Sequence, residues 1–230
     1  MTNEGISGPS PRQAAIVTIV GYGMMFGTAL ASLGIMPRLF VDEDAAKTAQ
    51  NILENRQLFG VATVAYLVNF TGDLLAAWGL YELLKPANAS ISMFVAWLRV
   101  AFASMGLAIL TNLVTAHRLL TAPAAAKLLG QGERELRAQL AIASFNWQFS
   151  FSLIFFGVYL LALGWLIYRS KIIPRWLGAV FMLDGAVWIL MSSGPYLYPG
   201  VSFGPLFYFT FAELLLPVWL IGWGVRKLSR

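Results

Sequence analysis

The chain has 230 residues, of which 58% are hydrophobic and only 12% are charged. Soluble domains carry about 25% charged residues, so this composition excludes an ordinary soluble globular protein. The absence of cysteine and the single histidine exclude disulfides, thiolate metal sites, iron–sulfur clusters and bis-histidine haem as internal features. We therefore predict no cofactor and no metal site. Basic loops of a membrane protein account for the formal net charge of +5, so we predict no nucleic-acid partner.

Six long apolar runs take up most of the chain, and the lipid bilayer is therefore its expected surroundings. A helix needs about 20 residues to cross a hydrocarbon core of about 30 Å, and each run is about that long. The sequence predicts an all-α, polytopic integral membrane protein, built as a six-transmembrane-helix bundle. The predicted spans lie near residues 14–36, 60–84, 91–116, 145–168, 176–194 and 203–225.

The same pattern predicts the domain organisation. Residues 1–13 are polar and are expected to form a disordered N-terminal lead, and residues 14–225 a single six-helix transmembrane domain. Residues 226–230 are expected to be a basic cytoplasmic tail. A signal peptide cleaved after residues 29–31 is the alternative for the first run. That run is longer than the roughly 7–15 apolar residues of a signal peptide, which favours a true span.

Small residues four apart mark one face of the first span, at Gly23, Gly27 and Ala31. Small residues let two helices approach closely in a membrane, so this face is predicted to pack against another helix. Residues 18–23 are similar to the filter of potassium channels. A filter loop lies between two spans, whereas this segment lies near the start of the first one, so we favour helix packing.

The orientation follows from the basic residues that flank the spans. Cytoplasmic loops are enriched in lysine and arginine, counted in short flanks. One side carries eight basic residues, mostly in short loops, and the other carries seven in the two long loops 37–57 and 117–144. We therefore predict that both termini are cytoplasmic. The eight residues are Arg12, Lys85, Arg169, Lys171, Arg175, Arg226, Lys227 and Arg230.

Four ionisable residues lie well inside the predicted spans, away from their ends: Asp73, Arg99, Asp184 and Glu213. At about 1.5 Å per residue, Asp73 and Glu213 lie roughly 18 Å from the cytoplasmic ends of their spans. Arg99 and Asp184 lie about 13–14 Å in by the same measure, so all four can meet in one layer. Asn69 shares a helix face with Asp73 and joins them as a candidate ligand-binding residue. No catalytic residue is predicted.

Two interpretations of these charges stay open. Asp73 and Arg99 can be a buried ion pair whose only role is to fix the packing of two helices. That pair leaves Asp184 and Glu213 unused, and four ionised groups would carry a net charge of minus two. Like charges at close range disfavour each other's ionised form. At least one carboxyl group, with Glu213 the best candidate, should then be protonated or bind a cation.

The chain resembles the bacterial multi-pass membrane family catalogued as domain of unknown function 4386. The resemblance covers most of residues 14–225 and rests on the order and spacing of several short stretches. Asp184 matches no position of that pattern. The resemblance implies a polytopic protein of the bacterial inner membrane and implies no activity. The matching stretches are 44–53, Asp73 with 83–86, Arg99, 155–157 with 166–168, Pro174 with Leu177 and Gly178, and Glu213.

Three classes of function fit the sequence. The first is a protein that binds or translocates a proton, a cation or a small solute at the buried charges, since such sites lie near mid-membrane. The second is a non-catalytic accessory, assembly or sensor subunit with a protein partner, in which the charges only pack the bundle. The third is an intramembrane enzyme, which ranks last because no nucleophile with an adjacent base is visible.

Overall fold

The computed structural model describes residues 8–198, 200–201 and 203–224, and this part of the chain is helical without a strand. Six stretches are long and apolar enough to cross a membrane. The predicted all-α polytopic fold with six spans is therefore confirmed. The α-helices are α1 (Pro11–Leu39), α2 (Ala45–Glu54), α3 (Arg56–Leu84), α4 (Ala89–Thr121), α5 (Pro123–Leu128), α6 (Gln131–Ser170), α7 (Arg175–Leu197) and α8 (Leu215–Trp219).

Several helix ends differ from the predicted ones. Helix α1 begins at Pro11, so residues 11–13 of the predicted lead are helical, and residues 1–7 lie outside the described part. The helix also continues two residues past Pro37, where we predicted its end. Proline removes only its own N–H donor, and the N–H of Phe40 still bonds to the carbonyl of Met36 at 3.0 Å. The predicted tail 226–230 lies outside the described residues.

Each of the two long loops contains a short helix, α2 in one and α5 in the other. Asp44 caps α2, because its carboxylate accepts a hydrogen bond of 2.8 Å from the N–H of Lys47. Pro123 is the first residue of the short helix α5. Helix α6 then begins at Gln131, well before the predicted span start at residue 145, and its 40 residues make it about 60 Å long. Its first turns therefore extend beyond the hydrocarbon core.

The described residues form two compact units, one within the ranges 1–23, 72–101 and 153–230 and the other within 24–71 and 102–152. The second unit has an apolar core. Phe59, Phe70, Leu113, Ile142 and Phe145 are almost completely buried there. The first unit contains the buried charges. The single domain 14–225 stays a prediction.

Glycines bring the helices of the first unit into close contact. A Cβ on Gly157 would lie 2.6 Å from the carbonyl oxygen of Gly185, and a Cβ on Gly185 would lie 2.6 Å from that of Gly157. Gly164 and Gly178 have the same reciprocal relation at 2.6 Å. The two glycines are seven residues apart on α6 and on α7, so both lie on one face of each helix. The earlier glycine of α6 meets the later glycine of α7, so the two helices pack antiparallel.

Helices α1 and α3 pack in the same way. A Cβ on Gly21 would lie 2.6 Å from the carbonyl oxygen of Gly72, and one on Gly79 would lie 2.9 Å from that of Ala14. The predicted packing face at Gly23 and Gly27 is wrong, since a Cβ at either position would meet nothing within 4 Å. The reason is the rotation of α1 about its axis. Gly21 is two residues before Gly23, which is about 200° around the helix, so the two glycines lie on nearly opposite faces.

The sixth stretch departs from α-helical geometry along most of its length. A 3₁₀ segment (Gly204–Phe209) is followed by a 3₁₀ turn (Ala212–Leu214), then α8 and a π-helical turn (Leu220–Gly224). The predicted sixth span is present, but most of its backbone is 3₁₀ or π-helical and not α-helical. The first 3₁₀ segment and the 3₁₀ turn both contact α7. Irregular backbone at membrane depth is tolerated where it is buried in protein or lines a water-filled cavity.

Candidate functional site

The close helix contacts of the first unit place six polar side chains together. We name them the charge cluster: Tyr22, Asp73, Arg99, Tyr159, Asp184 and Glu213. Tyr22 and Asp73 directly follow the glycines at which α1 and α3 meet. Tyr159 and Asp184 lie close in sequence to the glycines at which α6 and α7 meet. The backbone contacts between small residues therefore set the positions of four of the six members.

Asp73 and Arg99 form the centre of the charge cluster. The Nε of Arg99 donates to Oδ1 of Asp73 at 3.0 Å, and Nη2 lies 2.9 Å from the same oxygen. The two residues are 2% and 1% exposed, which makes this a fully buried ion pair. The contact that the sequence predicted is therefore present. An ion pair of this kind satisfies one carboxylate and leaves the outer edge of the guanidinium for other partners.

Two tyrosines also contact Arg99. Its Nη1 donates to the hydroxyl of Tyr22 at 3.1 Å and also to the hydroxyl of Tyr159. The guanidinium carbon lies 4.9 Å from the ring centroid of each tyrosine, within the range of cation–π attraction. Sequence reasoning missed both residues. The signal was a tyrosine in the middle of an apolar span, because a buried phenol hydroxyl normally needs a polar partner.

Glu213 is held more loosely than Asp73. Its Oε1 lies 3.9 Å from Nη1 of Arg99 and accepts a long hydrogen bond of 3.5 Å from the hydroxyl of Tyr22. Its side chain is 19% exposed, against 3% for Asp73. Glu213 lies in the 3₁₀ turn Ala212–Leu214, where hydrogen-bond geometry is poorer than in an α-helix. It is therefore the most accessible carboxyl group of the charge cluster, and its contacts are longer than those of Asp73.

Asp184 is the unusual member of the charge cluster. It is 1% exposed, and neither of its carboxyl oxygens has a hydrogen-bond partner among the described residues. It lies on α7, which contacts the 3₁₀ turn that carries Glu213. The structure thus places Asp184 on a helix that contacts the turn of Glu213, although the family resemblance gave it no place.

Asn69 is the predicted site residue that does not belong to the unit containing the charge cluster. It lies in the second unit, where the hydroxyl of Thr28 donates to its Oδ1 at 3.4 Å. The prediction assumed that residues one turn apart on a helix share one environment. Asn69 instead has a partner of its own, which is a sufficient reason for a polar side chain within a span.

The polar groups of the charge cluster suit a proton or a monovalent cation better than a divalent metal ion. Within residues 8–198, 200–201 and 203–224, no three His, Cys, Asp or Glu side chains are grouped so that they could hold a metal ion. Two carboxyl groups, those of Asp73 and Glu213, nevertheless lie beside one guanidinium, and a third, that of Asp184, lies on the helix that contacts the turn of Glu213. A surplus of acidic groups in low dielectric is stabilised by binding protons or a cation.

Comparisons with known proteins agree with this architecture. The model of the family described as "Domain of unknown function (DUF4386)" matches residues 19–224. A protein of Archaeoglobus fulgidus described as "Uncharacterized protein" is 30% identical over 157 residues, covering 68% of this chain and 79% of the relative. No solved structure shows a significant match to the chain. The chain therefore belongs to the DUF4386 family.

Proposed function

We propose that this protein binds a proton or a small cation at the charge cluster and carries it across the membrane. The observation that supports the proposal is the surplus of acid: Asp73 and Glu213 both lie beside Arg99, and the buried Asp184 has no hydrogen-bond partner among the described residues. Ionisable groups inside a membrane are costly and usually mark pathways for ions or substrates. If the charge cluster served only to pack the helices, the Asp73–Arg99 pair would be sufficient.

The broken sixth stretch supports the same function. Transporters often bind their substrate near mid-membrane where a helix is discontinuous, because the freed backbone and side chains can face the ligand. Glu213 lies in such a stretch and is the most accessible carboxyl group of the charge cluster. It is therefore the residue through which a cation would enter and leave.

A packing role is the alternative, and one observation favours it. The Asp73–Arg99 pair is almost completely buried and connects α3 to α4. In that case the protein would be an accessory, assembly or sensor subunit whose charges only hold its helices together. The two functions differ in what they demand of Glu213, because a packing role does not require an exchangeable group there.

Proton flux tests the proposed function. The purified protein is reconstituted in liposomes that contain a pH-sensitive dye, and a valinomycin-induced potassium diffusion potential drives cations inward. With the wild-type protein, we expect the liposome interior to acidify faster than in protein-free liposomes. The Glu213→Gln variant should fall to that background, because it removes the exchangeable carboxyl group. Glu133→Gln, the same change at an exposed residue of α6, should match the wild type.

Two results would contradict the proposal. The first is a wild-type protein that moves neither protons, sodium nor methylammonium faster than protein-free liposomes. The second is a Glu213→Gln variant that moves them as fast as the wild type, since the charge cluster would then not be the site.

We also propose the orientation and the membrane. Lys85 follows α3, and its hydrogen bond to Glu82, with Nζ 2.5 Å from Oε2, raises the pKa of Lys85 above its ordinary value. Lys85 is therefore charged and marks one boundary of the span, on the side with the denser basic flanks. Both termini are then cytoplasmic. The bacterial inner membrane remains a prediction, and the relative from Archaeoglobus fulgidus is archaeal.

Cysteine labelling tests the orientation in intact cells. The chain has no cysteine, so single substitutions at Ser90 and Ala46, both exposed, give an unambiguous signal. A membrane-impermeant maleimide added from outside is expected to label Ala46→Cys and to leave Ser90→Cys unlabelled. Labelling of Ser90→Cys alone would reverse the orientation.

A further inference from the structure

The buried carboxyl group of Asp184 needs a hydrogen-bond donor that its present contacts do not provide. Both of its oxygens are buried and have no hydrogen-bond partner among the described residues. A carboxylate without donors in low dielectric is strongly disfavoured, and buried polar groups of native proteins are nearly always hydrogen-bonded. A donor must therefore come from a nearby group or from a bound ligand.

Glu213 is placed to be that donor. Helix α7, which carries Asp184, contacts the 3₁₀ turn that carries Glu213, and a charge on Asp184 acts on Glu213. The contacts of Glu213 with Tyr22 and Arg99 both involve Oε1. This leaves Oε2 to carry a proton and to donate it, because a protonated carboxyl group has one O–H donor.

We propose that Glu213 and Asp184 form a proton-sharing pair, in which Oε2 of Glu213 holds the proton and donates it to the Asp184 carboxylate. This inference rests on the proposed function and names its ligand as a proton. The proton reaches Glu213, the more accessible partner, and passes along the hydrogen bond to the buried Asp184. One O–H bond forms on Asp184 as the one on Glu213 breaks, and Glu213 is left as the carboxylate.

The surrounding charges suit this pair. Glu213 faces Tyr22 of α1, Asp73 of α3, Arg99 of α4, Tyr159 of α6 and Asp184 of α7. Arg99 already neutralises Asp73 at close range, so two further carboxylates would leave an excess of two negative charges. One proton held between them lowers this excess to one. Two carboxyl groups can share a proton without further ligands, whereas a metal ion needs more than two ligand groups.

Infrared spectroscopy of the purified protein in nanodiscs tests the pair. A protonated carboxyl group has a C=O stretching band that is separate from the carboxylate bands and shifts in D₂O. We expect such a band in the wild type. Labelling with ¹³C-glutamate should shift it, Glu213→Gln should abolish it, and Asp184→Asn should change its frequency by altering the hydrogen-bond acceptor. Asp184→Ser is the second variant if Asp184→Asn does not fold, and Glu133→Gln should leave the band unchanged.

Three results would overturn the proton-sharing pair: no glutamate-derived band in the labelled wild type, a band that is the same in the Asp184 variants, or a band that survives Glu213→Gln. The test does not depend on transport. If the band behaves as expected while the liposomes show no flux, the proton-sharing pair stands and the carrier function is wrong. Proton flux without the band would instead support the carrier function and refute the proton-sharing pair.

Discussion

Replacing Arg99 by leucine is expected to destabilise the protein by about 3–5 kcal/mol, because it leaves a buried charge without its partner. Asp73 accepts from Nε and lies beside Nη2 of this arginine, and both residues are almost fully buried. The hydroxyls of Tyr22 and Tyr159 lose their donor as well. The measurement is a thermal melt of the purified variant in detergent, compared with the wild type.

The surface pair Arg137–Glu133 provides a matched control. Its Nη2–Oε1 distance is 2.6 Å, but its side chains are 56% and 47% exposed. Exposed ion pairs of this kind are worth about 0–1 kcal/mol, so Arg137→Leu should melt close to the wild type. If Arg99→Leu and Arg137→Leu have the same melting temperature, the buried Asp73–Arg99 pair contributes no more stability than a surface pair. Our interpretation of the Asp73–Arg99 pair would then be wrong.

The Gly178→Ala substitution is expected to cost about 1–3 kcal/mol or more, because the added methyl group has no room. Its Cβ would lie 2.6 Å from the carbonyl oxygen of Gly164 and 2.6 Å from the backbone nitrogen of Tyr168. Backbone atoms cannot move aside as a side chain can, so α6 and α7 must separate. Thermal melts in detergent measure the loss of stability. Proton flux shows whether the separation of α6 and α7, which carry Tyr159 and Asp184, also impairs transport.

Gly60→Ala is the control for this change. A Cβ on Gly60, within α3, would meet nothing within 4 Å. Alanine is favoured over glycine in a helix interior by about 1 kcal/mol, so this variant should be as stable as the wild type or more so. Equal melting temperatures for the two variants would contradict the close helix contact at Gly178.

The sequence was sufficient for the spans and for the central ion pair, and the physical reasons are direct in both cases. Apolar runs of about 20 residues have few alternatives to crossing a membrane. A carboxylate in hydrocarbon costs about 2.5–3.5 kcal/mol on insertion scales, so Asp73 required a partner, and Arg99 was the cationic residue inside a span. Length and charge are properties that a sequence states directly.

The rest depended on how each helix is rotated about its axis, which composition does not fix. Gly23 and Gly27 fit a known packing pattern, yet Gly21 is the residue in contact. Tyr22 and Tyr159 are visible in the sequence as tyrosines within apolar spans, but their contact with Arg99 depends on how the glycines near them meet α3 and α7. The 3₁₀ turn at Glu213 was also missed, because an apolar run of 21 residues predicts a regular helix.

The melting temperature of Glu213→Gln, compared with that of Arg99→Leu, tests most directly whether Glu213 serves exchange or packing. Glutamine has the shape of a neutral glutamic acid, can accept from Tyr22 and can donate to Asp184. We predict that Glu213→Gln melts close to the wild type while its proton flux is lost, and that Arg99→Leu melts far earlier. If Glu213→Gln melts as early as Arg99→Leu, then Glu213 is an ionised partner that holds the helices together. The division of the charge cluster into a fixed ion pair and an exchangeable carboxyl group would then be wrong.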